Sequence, residues 1–286
     1  MGTDKRERQK ANRAARVAAE QSVEAKKRRI RFIRNAVILV IAIILVGFLL
    51  SGCSSNASDG STAGTTANTT PNTKGKTGTE SSKGTYGTTA CPPDAGVKEP
   101  KIDFATGFAK CIDTAKTYTA EVATTQGNVT VVLDTKRTPI TTNNFVALAR
   151  YGYYNGTSFF RTEAQSGIIQ GGSPHTQDNA DPGPGPEFSI PDEGRPFSSD
   201  DYGPGTLAMA RTAAPNSASG QFFFLATEGG RYLGDANSLG ADAGSYAAFG
   251  TVSKGLDVLE KIAALDDGSS TPSKAVSILT VTIIES

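Results

Sequence analysis

The stretch Ser219–Thr227, SGQFFFLAT, places a glutamine directly before three phenylalanines. Three consecutive aromatic residues predict a buried strand, and successive side chains of a strand point to opposite faces. Gln221, Phe223 and Leu225 then share one face, and Phe222, Phe224 and Ala226 share the other. One face is wholly apolar, while the other sets an amide beside a large ring. Two readings follow. Either a core strand ends in a glutamine that meets water, or an apolar pocket carries a hydrogen-bonding group on its rim.

Outward from this strand the chain is patterned from Tyr118 onward. YTAEVATTQGNVTVVLDT gives two strand-like runs around Gln126-Gly127, a hairpin signal. TPITTNNFVALARYG predicts a helix with Thr138 as cap, Pro139 in its first turn, and Phe145, Leu148 and Ala149 on one face. Strand-like runs follow at 157–161, 167–170, 205–211, 221–227 and 246–252. A second helix, GLDVLEKIAAL, has Leu256, Leu259, Ile262 and Ala263 at helical spacing, and β-branched residues fill the last run, AVSILTVTIIE. About eight short strands with Gly/Pro-rich connections predict a closed barrel or a sandwich.

The N-terminal part differs in kind. Residues 1–35 hold twelve Lys/Arg against four acids, a net +8, whereas the remainder holds 17 bases against 24 acids, a net −7. A mildly acidic body argues against nucleic acid as its partner. Next comes AVILVIAIILVGFLL, Ala36–Leu50, without a polar side chain. Its length falls between a signal-peptide core and a full span, and the basic head orients it with residues 1–35 in the cytoplasm. Residues 36–53 therefore read as an uncleaved transmembrane anchor. Alternatively they form a signal ending in LSGC, which resembles the lipobox of bacterial lipoproteins and would lipidate Cys53. Both options tether the body at the cell membrane on its extracytoplasmic side. Residues 54–89, rich in Ser, Thr, Gly, Asn, Ala and Lys, lack the apolar content to fold and read as a disordered linker. Residues 90–117 form a lead-in whose Cys91 and Cys111, on the oxidising side of a membrane, read as a disulfide.

The chemistry is narrowed by what is missing. There is one histidine, His175, in a polar loop, and neither a G-x-S-x-G elbow nor a phosphate loop occurs. No metal site is expected. An enzyme without these groups needs a reaction without proton transfer; one that exists is rotation about an X–Pro amide, whose barrier is roughly 18–20 kcal/mol. It calls for an apolar slot for the proline ring and donors that stabilise the twisted amide; a guanidinium, always charged and rich in donors, suits the second role.

Three ordered stretches carry a resemblance: SFFR…IIQGG (158–161 and 168–172), GTLAMAR…PNSASGQFFF (205–224) and YAAFGTV (246–252). Together with the first helix they resemble the cyclophilin-type peptidyl-prolyl cis-trans isomerases over about residues 118–286. The head, tether and cysteine pair are similar to the membrane-anchored bacterial forms. The resemblance implies an eight-stranded closed antiparallel β-barrel capped by two α-helices, a monomer without cofactor, acting on proline-containing segments of secreted or envelope proteins. It also implies that Arg161 is the catalytic arginine, that Gln170 and Gln221 orient the peptide, and that Phe223 lies in the site. Ile168, Ala210, Arg211, Tyr232, Leu233 and Tyr246 are implied to contact substrate. Tyr232 stands where the family usually has tryptophan, Tyr246 where it often has histidine, and Arg211 where it has asparagine, which predicts an added charge beside the groove. TEAQSGII replaces the usual segment between arginine and glutamine and is one residue longer. Gly167 and Ile168 then stand for a phenylalanine and a methionine, and an aromatic wall is lost. These departures favour a second reading, a catalytically weak proline-peptide-binding module or chaperone of the envelope.

Overall fold

The computed structural model describes residues 85–286. The basic segment, the apolar run with Cys53 and most of the Ser/Thr/Gly linker lie outside the described residues. Among those described, no helix is long and apolar enough to cross a membrane.

Eight strands make one antiparallel sheet: β1 Tyr118–Thr124, β2 Gly127–Leu133, β3 Arg161–Glu163, β4 Ile168–Gly171, β5 Thr206–Met209, β6 Phe222–Leu225, β7 Ala248–Lys254 and β8 Ile278–Glu285. Their spatial order is β3-β4-β6-β5-β7-β2-β1-β8. The sheet curls, but its edge strands β3 and β8 form no ladder with each other. Only the Ser158–Ser277 bridge and bonds beside it, such as Phe159 N–H to the Val276 carbonyl at 2.9 Å, stitch the seam. The closed barrel expected from the sequence is therefore an open, curled one. The reason is length: β3 has three residues, and the 157–160 part of the expected strand is extended chain that pairs only through isolated bonds.

The alternation in FFF sorts two apolar clusters. Phe222, Phe224 and Ala226 point into the main core with Ile169, Leu207, Met209 and Phe249. Phe223 and Leu225 point the other way, into a smaller cluster with Ile168, Phe197, Tyr202, Ala208, Leu233 and Ala247. Ring–ring contacts bind the main core: Phe222 meets Phe145 at 5.5 Å, Tyr154 at 5.2 Å and Phe224 at 5.7 Å, all near edge-to-face.

Helix α1, Pro139–Arg150, and helix α3, Leu256–Ala263, cover the barrel, with a single turn α2, Ala236–Leu239, in the loop after β6. α3 buries one face through Val258, Leu259, Ile262 and Ala263, as its periodicity predicts. α1 is buried all round, from Ile140 through Arg150. Its first turns carry Thr142, Asn143 and Asn144, whose polar groups bond three different segments: Thr142 donates to the Asp134 carbonyl and Asn144 to the Ser219 carbonyl. The lead-in covers Asn143, whose Oδ1 accepts from the N–H groups of Cys111 (2.6 Å) and Ile112 (3.2 Å) and whose Nδ2 donates to the Ala109 carbonyl. Thr138 stands at the N-cap but donates its hydroxyl to the Asp134 carbonyl. The cap comes instead from the Glu193 carboxylate, which accepts from Ile140 N–H at 2.9 Å and Thr141 N–H at 2.8 Å. A carboxylate there satisfies otherwise unpaired amides and complements the helix dipole.

The lead-in is thus part of the body. Cys91 and Cys111 form a disulfide closing a 20-residue separation, a constraint worth about 3 kcal/mol in the chain-entropy account. Phe104 and Phe108 are buried and pack with Tyr151 and Phe188. Ordered pairing starts before the linker boundary at 89, since Gly87 N–H donates to the Phe108 carbonyl and Thr89 bridges Phe108.

His175 fastens the same lead-in to the loop after β4. Its Nε2 meets Asp103 Oδ1 at 3.0 Å and its Nδ1 meets Asp181 Oδ1 at 3.3 Å. Burial disfavours the imidazolium, but hydrogen bonds to Asp103 and Asp181 outweigh it and hold the His175 pKa above the ordinary value. A raised folded-state pKa stabilises the fold below the unfolded value and is lost as pH rises through the folded one. The melting temperature of the wild type, measured against His175→Asn, is expected to fall as pH rises from about 6 to about 8. A difference between the two proteins that stays constant over this window would remove His175 as a charged staple.

Candidate active site

The site forms where β3, β4 and β6 run side by side. Register places Arg161 opposite Gln170, and Gln170 opposite Phe223. Because β3 and β4 are joined by the short turn after Glu163, the arginine and the glutamine meet within one hairpin. Gly167 makes the turn possible: it has φ +72°, and a Cβ there would lie 2.5 Å from Thr227 N. Gly172, after β4, has φ +93°, and a Cβ would stand 2.7 Å from the Gly220 carbonyl oxygen. The two glycines thus let the ends of β4 approach the residues leaving β6, at Thr227, and those entering it, at Gly220.

A continuous chain of side-chain hydrogen bonds results. Arg161 Nη1 donates to Gln170 Oε1 at 2.9 Å, and Gln170 Nε2 donates to Gln221 Oε1 at 2.8 Å. Gln170 is buried, so its amide needs these partners, whereas the Arg161 side chain is 38% exposed and its guanidinium can meet a bound peptide. Beside the chain lies the smaller apolar cluster. Phe223 and Leu233 are each 4% exposed, and Tyr246 packs edge-on against Phe223 with ring centroids 5.6 Å apart. The amide chain and the apolar surface are therefore neighbours, joined by the Gln170–Phe223 pairing. The glutamine before the phenylalanines stands directly before β6, and its side chain accepts from Gln170 beside the apolar cluster.

The remaining residues assigned from sequence divide. Ile168 is buried in the smaller cluster, whereas Gly167 serves the turn. Ala210 packs at the cluster edge and its N–H donates to the Gln221 carbonyl at 3.0 Å. Tyr232 is exposed and, with Glu163, Gln165, Ser166 and Gly229, lines a cavity of about 410 Å³. Arg211 departs from its assignment. Its side chain is 6% exposed and folds back to the Ala214 carbonyl (2.9 Å) and to Asp192 (3.3 Å) of the preceding loop, a carboxylate it shares with Arg195, so the charge is paired away from the groove rather than free beside it. The pairing is through Nη2 alone, and the buried Nε has no partner.

Three contributors escape the sequence reading. Phe197 and Tyr202 come from the long loop between β4 and β5 and back the cluster; Tyr202 donates its hydroxyl to the Tyr246 carbonyl at 2.7 Å. No local pattern marks them. The third, Glu163, accepts from Arg161 Nε at 3.1 Å and from Nη2 through the same oxygen. Its position two residues after Arg161 in one strand, hence on the same face, is a signal that strand periodicity contains.

Comparisons with known proteins identify the family. Residues 119–283 match the family described as cyclophilin type peptidyl-prolyl cis-trans isomerase/CLD. The chain is similar to a peptidyl-prolyl cis-trans isomerase of Acinetobacter baylyi, 35% identical over 168 residues, 57% of this chain and 84% of that protein. It is likewise similar to peptidyl-prolyl cis-trans isomerase cyp18 of Streptomyces antibioticus, 34% identical over 58% of this chain and 95% of the other. Peptidyl-prolyl cis-trans isomerase B of Escherichia coli is 32% identical over 57% and 97%. With a family match over more than half of its length and relatives 35% and 34% identical over most of theirs, the chain belongs to the cyclophilin-type peptidyl-prolyl cis-trans isomerases.

Proposed function

We propose that this isomerase acts outside the cytoplasm, tethered to the membrane by residues 36–53, and turns over X–Pro bonds of secreted or envelope proteins as a monomer. Arg161 is the electrostatic catalyst. Three of its five N–H groups are committed to Gln170 and Glu163, which leaves two for the substrate amide. As the amide twists, resonance is lost and the nitrogen becomes a pyramidal, basic acceptor. A donor aimed there is worth more to the twisted state than to the planar one, the condition for lowering the barrier. Gln170 and Gln221 orient the peptide, Phe223, Ile168 and Leu233 form the proline slot, and Ala210, Tyr232 and Tyr246 border it.

The observation that carries the catalytic part is the unbroken Arg161–Gln170–Gln221 chain alongside the Phe223 cluster. The location rests on the apolar run after a basic head. The Cys91–Cys111 disulfide supports it, since such bonds persist in oxidising compartments.

One experiment tests both parts. Intact right-side-out membrane vesicles carrying the full chain are expected to accelerate cis-trans exchange of a short X–Pro peptide without permeabilisation. Vesicles silent until permeabilised would place the barrel on the inner side. Vesicles that bind the peptide without speeding exchange would make the protein a proline-peptide-binding module.

A further inference from the structure

The segment between Arg161 and Gln170 carries a device of its own. Glu163 Oε1 accepts from both Nε and Nη2 of Arg161, and Glu163 Oε2 accepts from the Ser166 hydroxyl at 3.0 Å. Ser166 is 8% exposed, and the turn that presents it is closed by Gly167 N–H donating to the Glu163 carbonyl at 2.8 Å. The guanidinium is thereby held on two sides: Gln170 from across the hairpin, Glu163 from two residues along the strand. An exposed Arg–Glu pair between two free side chains contributes little to stability. Here one partner is fixed by a buried hydroxyl and the other is the group that must point at the substrate.

We propose that Glu163, fixed by Ser166, is a positioning residue that holds the Arg161 guanidinium in its productive orientation. The inference rests on the role assigned to Arg161. In this arrangement the replacement of the usual segment by TEAQSGII supplies a carboxylate clamp on the arginine, and the site gains preorganisation on the side where it lost an aromatic wall. The clamp also brings a negative charge next to the catalytic cation, which by itself would weaken the field at the substrate nitrogen. Position and charge therefore act in opposite directions and can be separated by substitution.

Glu163→Gln keeps the reach and an accepting oxygen but removes the charge, while Glu163→Asp keeps the charge and withdraws it by one methylene. The full chain is assayed with a short X–Pro peptide. Glu163→Asp and Glu163→Ala are expected to lower kcat by about tenfold with KM changed less than about twofold, and Glu163→Gln to stay within about threefold of wild type. In arginine-labelled protein the Arg161 Nε–H resonance is expected to be protected from solvent exchange in the wild type and in Glu163→Gln. In Glu163→Asp it is expected to exchange rapidly. Should Glu163→Ala fail to fold, the Asp and Gln pair still decides. If Asp matches wild type, or if Gln falls as far as Asp, the clamp is overturned. Arg161→Ala separates the two levels: an inactive Arg161→Ala with a fully active Glu163→Asp defeats the clamp alone, whereas an active Arg161→Ala defeats the catalytic role and the clamp with it.

Discussion

Replacing Arg161 by alanine is expected to lower kcat/KM for a short X–Pro peptide by about 10²–10³-fold, the range found when one preorganised donor is removed from a site that stabilises developing charge. The fall should appear in kcat, because the donated bond is made to the twisted amide and the apolar slot that sets affinity is untouched. Arg161→Lys is expected to recover little: an ammonium keeps the charge but cannot bond to Gln170, Glu163 and the substrate at fixed angles. Thermal unfolding provides the control. The Arg161 side chain is 38% exposed and lies at the start of an edge strand, so its removal should shift the melting temperature by no more than about 4 °C. Peptide exchange followed by NMR line shape measures binding and catalysis in one sample. Retention of exchange activity within threefold would remove Arg161 from the mechanism. Loss of binding and exchange together would instead assign it to the peptide groove.

Much of this site is legible in the amino-acid sequence. The alternation within QFFFL assigns Gln221 and Phe223 to one face, and that face carries both the amide chain and the smaller apolar cluster. Register sets Arg161 opposite Gln170 and Gln170 opposite Phe223; Gln221, two residues before Phe223 on the same face, meets Gln170 diagonally, and each lies in a short ordered motif. Legibility ends where partners come from far along the chain. Asn143 of α1 looks like a solvated helix residue until residues 109–112 hydrogen-bond to it, and the Glu193 cap is 53 residues from the amide it satisfies. Arg211 reads as a free charge because its counter-ion, Asp192, is in another loop. Closure of the barrel depends on the length of β3, and the pattern from 157 to 161 does not reveal that only the residues from 161 onward form a ladder. Glu163 is a different case. Its spacing from Arg161 is visible, but an acid two residues from a base is common on exposed strands, and only the buried Ser166 distinguishes it.

The adjacent rings of β6 supply the second large effect, because Phe222 and Phe223 differ in face and in little else. Phe222 is fully buried and surrounded by Phe145, Tyr154, Phe159 and Phe224, each exposed by 1% or less. Aromatic neighbours in one packed layer cannot collapse into the space a benzyl group leaves, so Phe222→Ala is expected to cost about 3–5 kcal/mol. That corresponds to a melting temperature lower by about 10–15 °C for a body of this size. Below the transition kcat/KM should remain within about threefold, since no atom of that ring reaches the groove. Phe223 has the converse role. Its cluster is small, and Tyr246, Ala210 and Ala248 at its edge are only partly buried, so truncation leaves a hollow that opens toward solvent and costs about 2 kcal/mol. The slot, however, loses the apolar surface on which a proline ring would rest, and kcat/KM should drop by at least about tenfold. Denaturation curves and peptide exchange on the two variants therefore form a crossed test. Equal losses of activity from Phe222→Ala and Phe223→Ala in folded protein would mean that the groove is not on the Phe223 face. A neutral Phe223→Ala would leave the amide chain without its slot, and the proline would have to bind elsewhere.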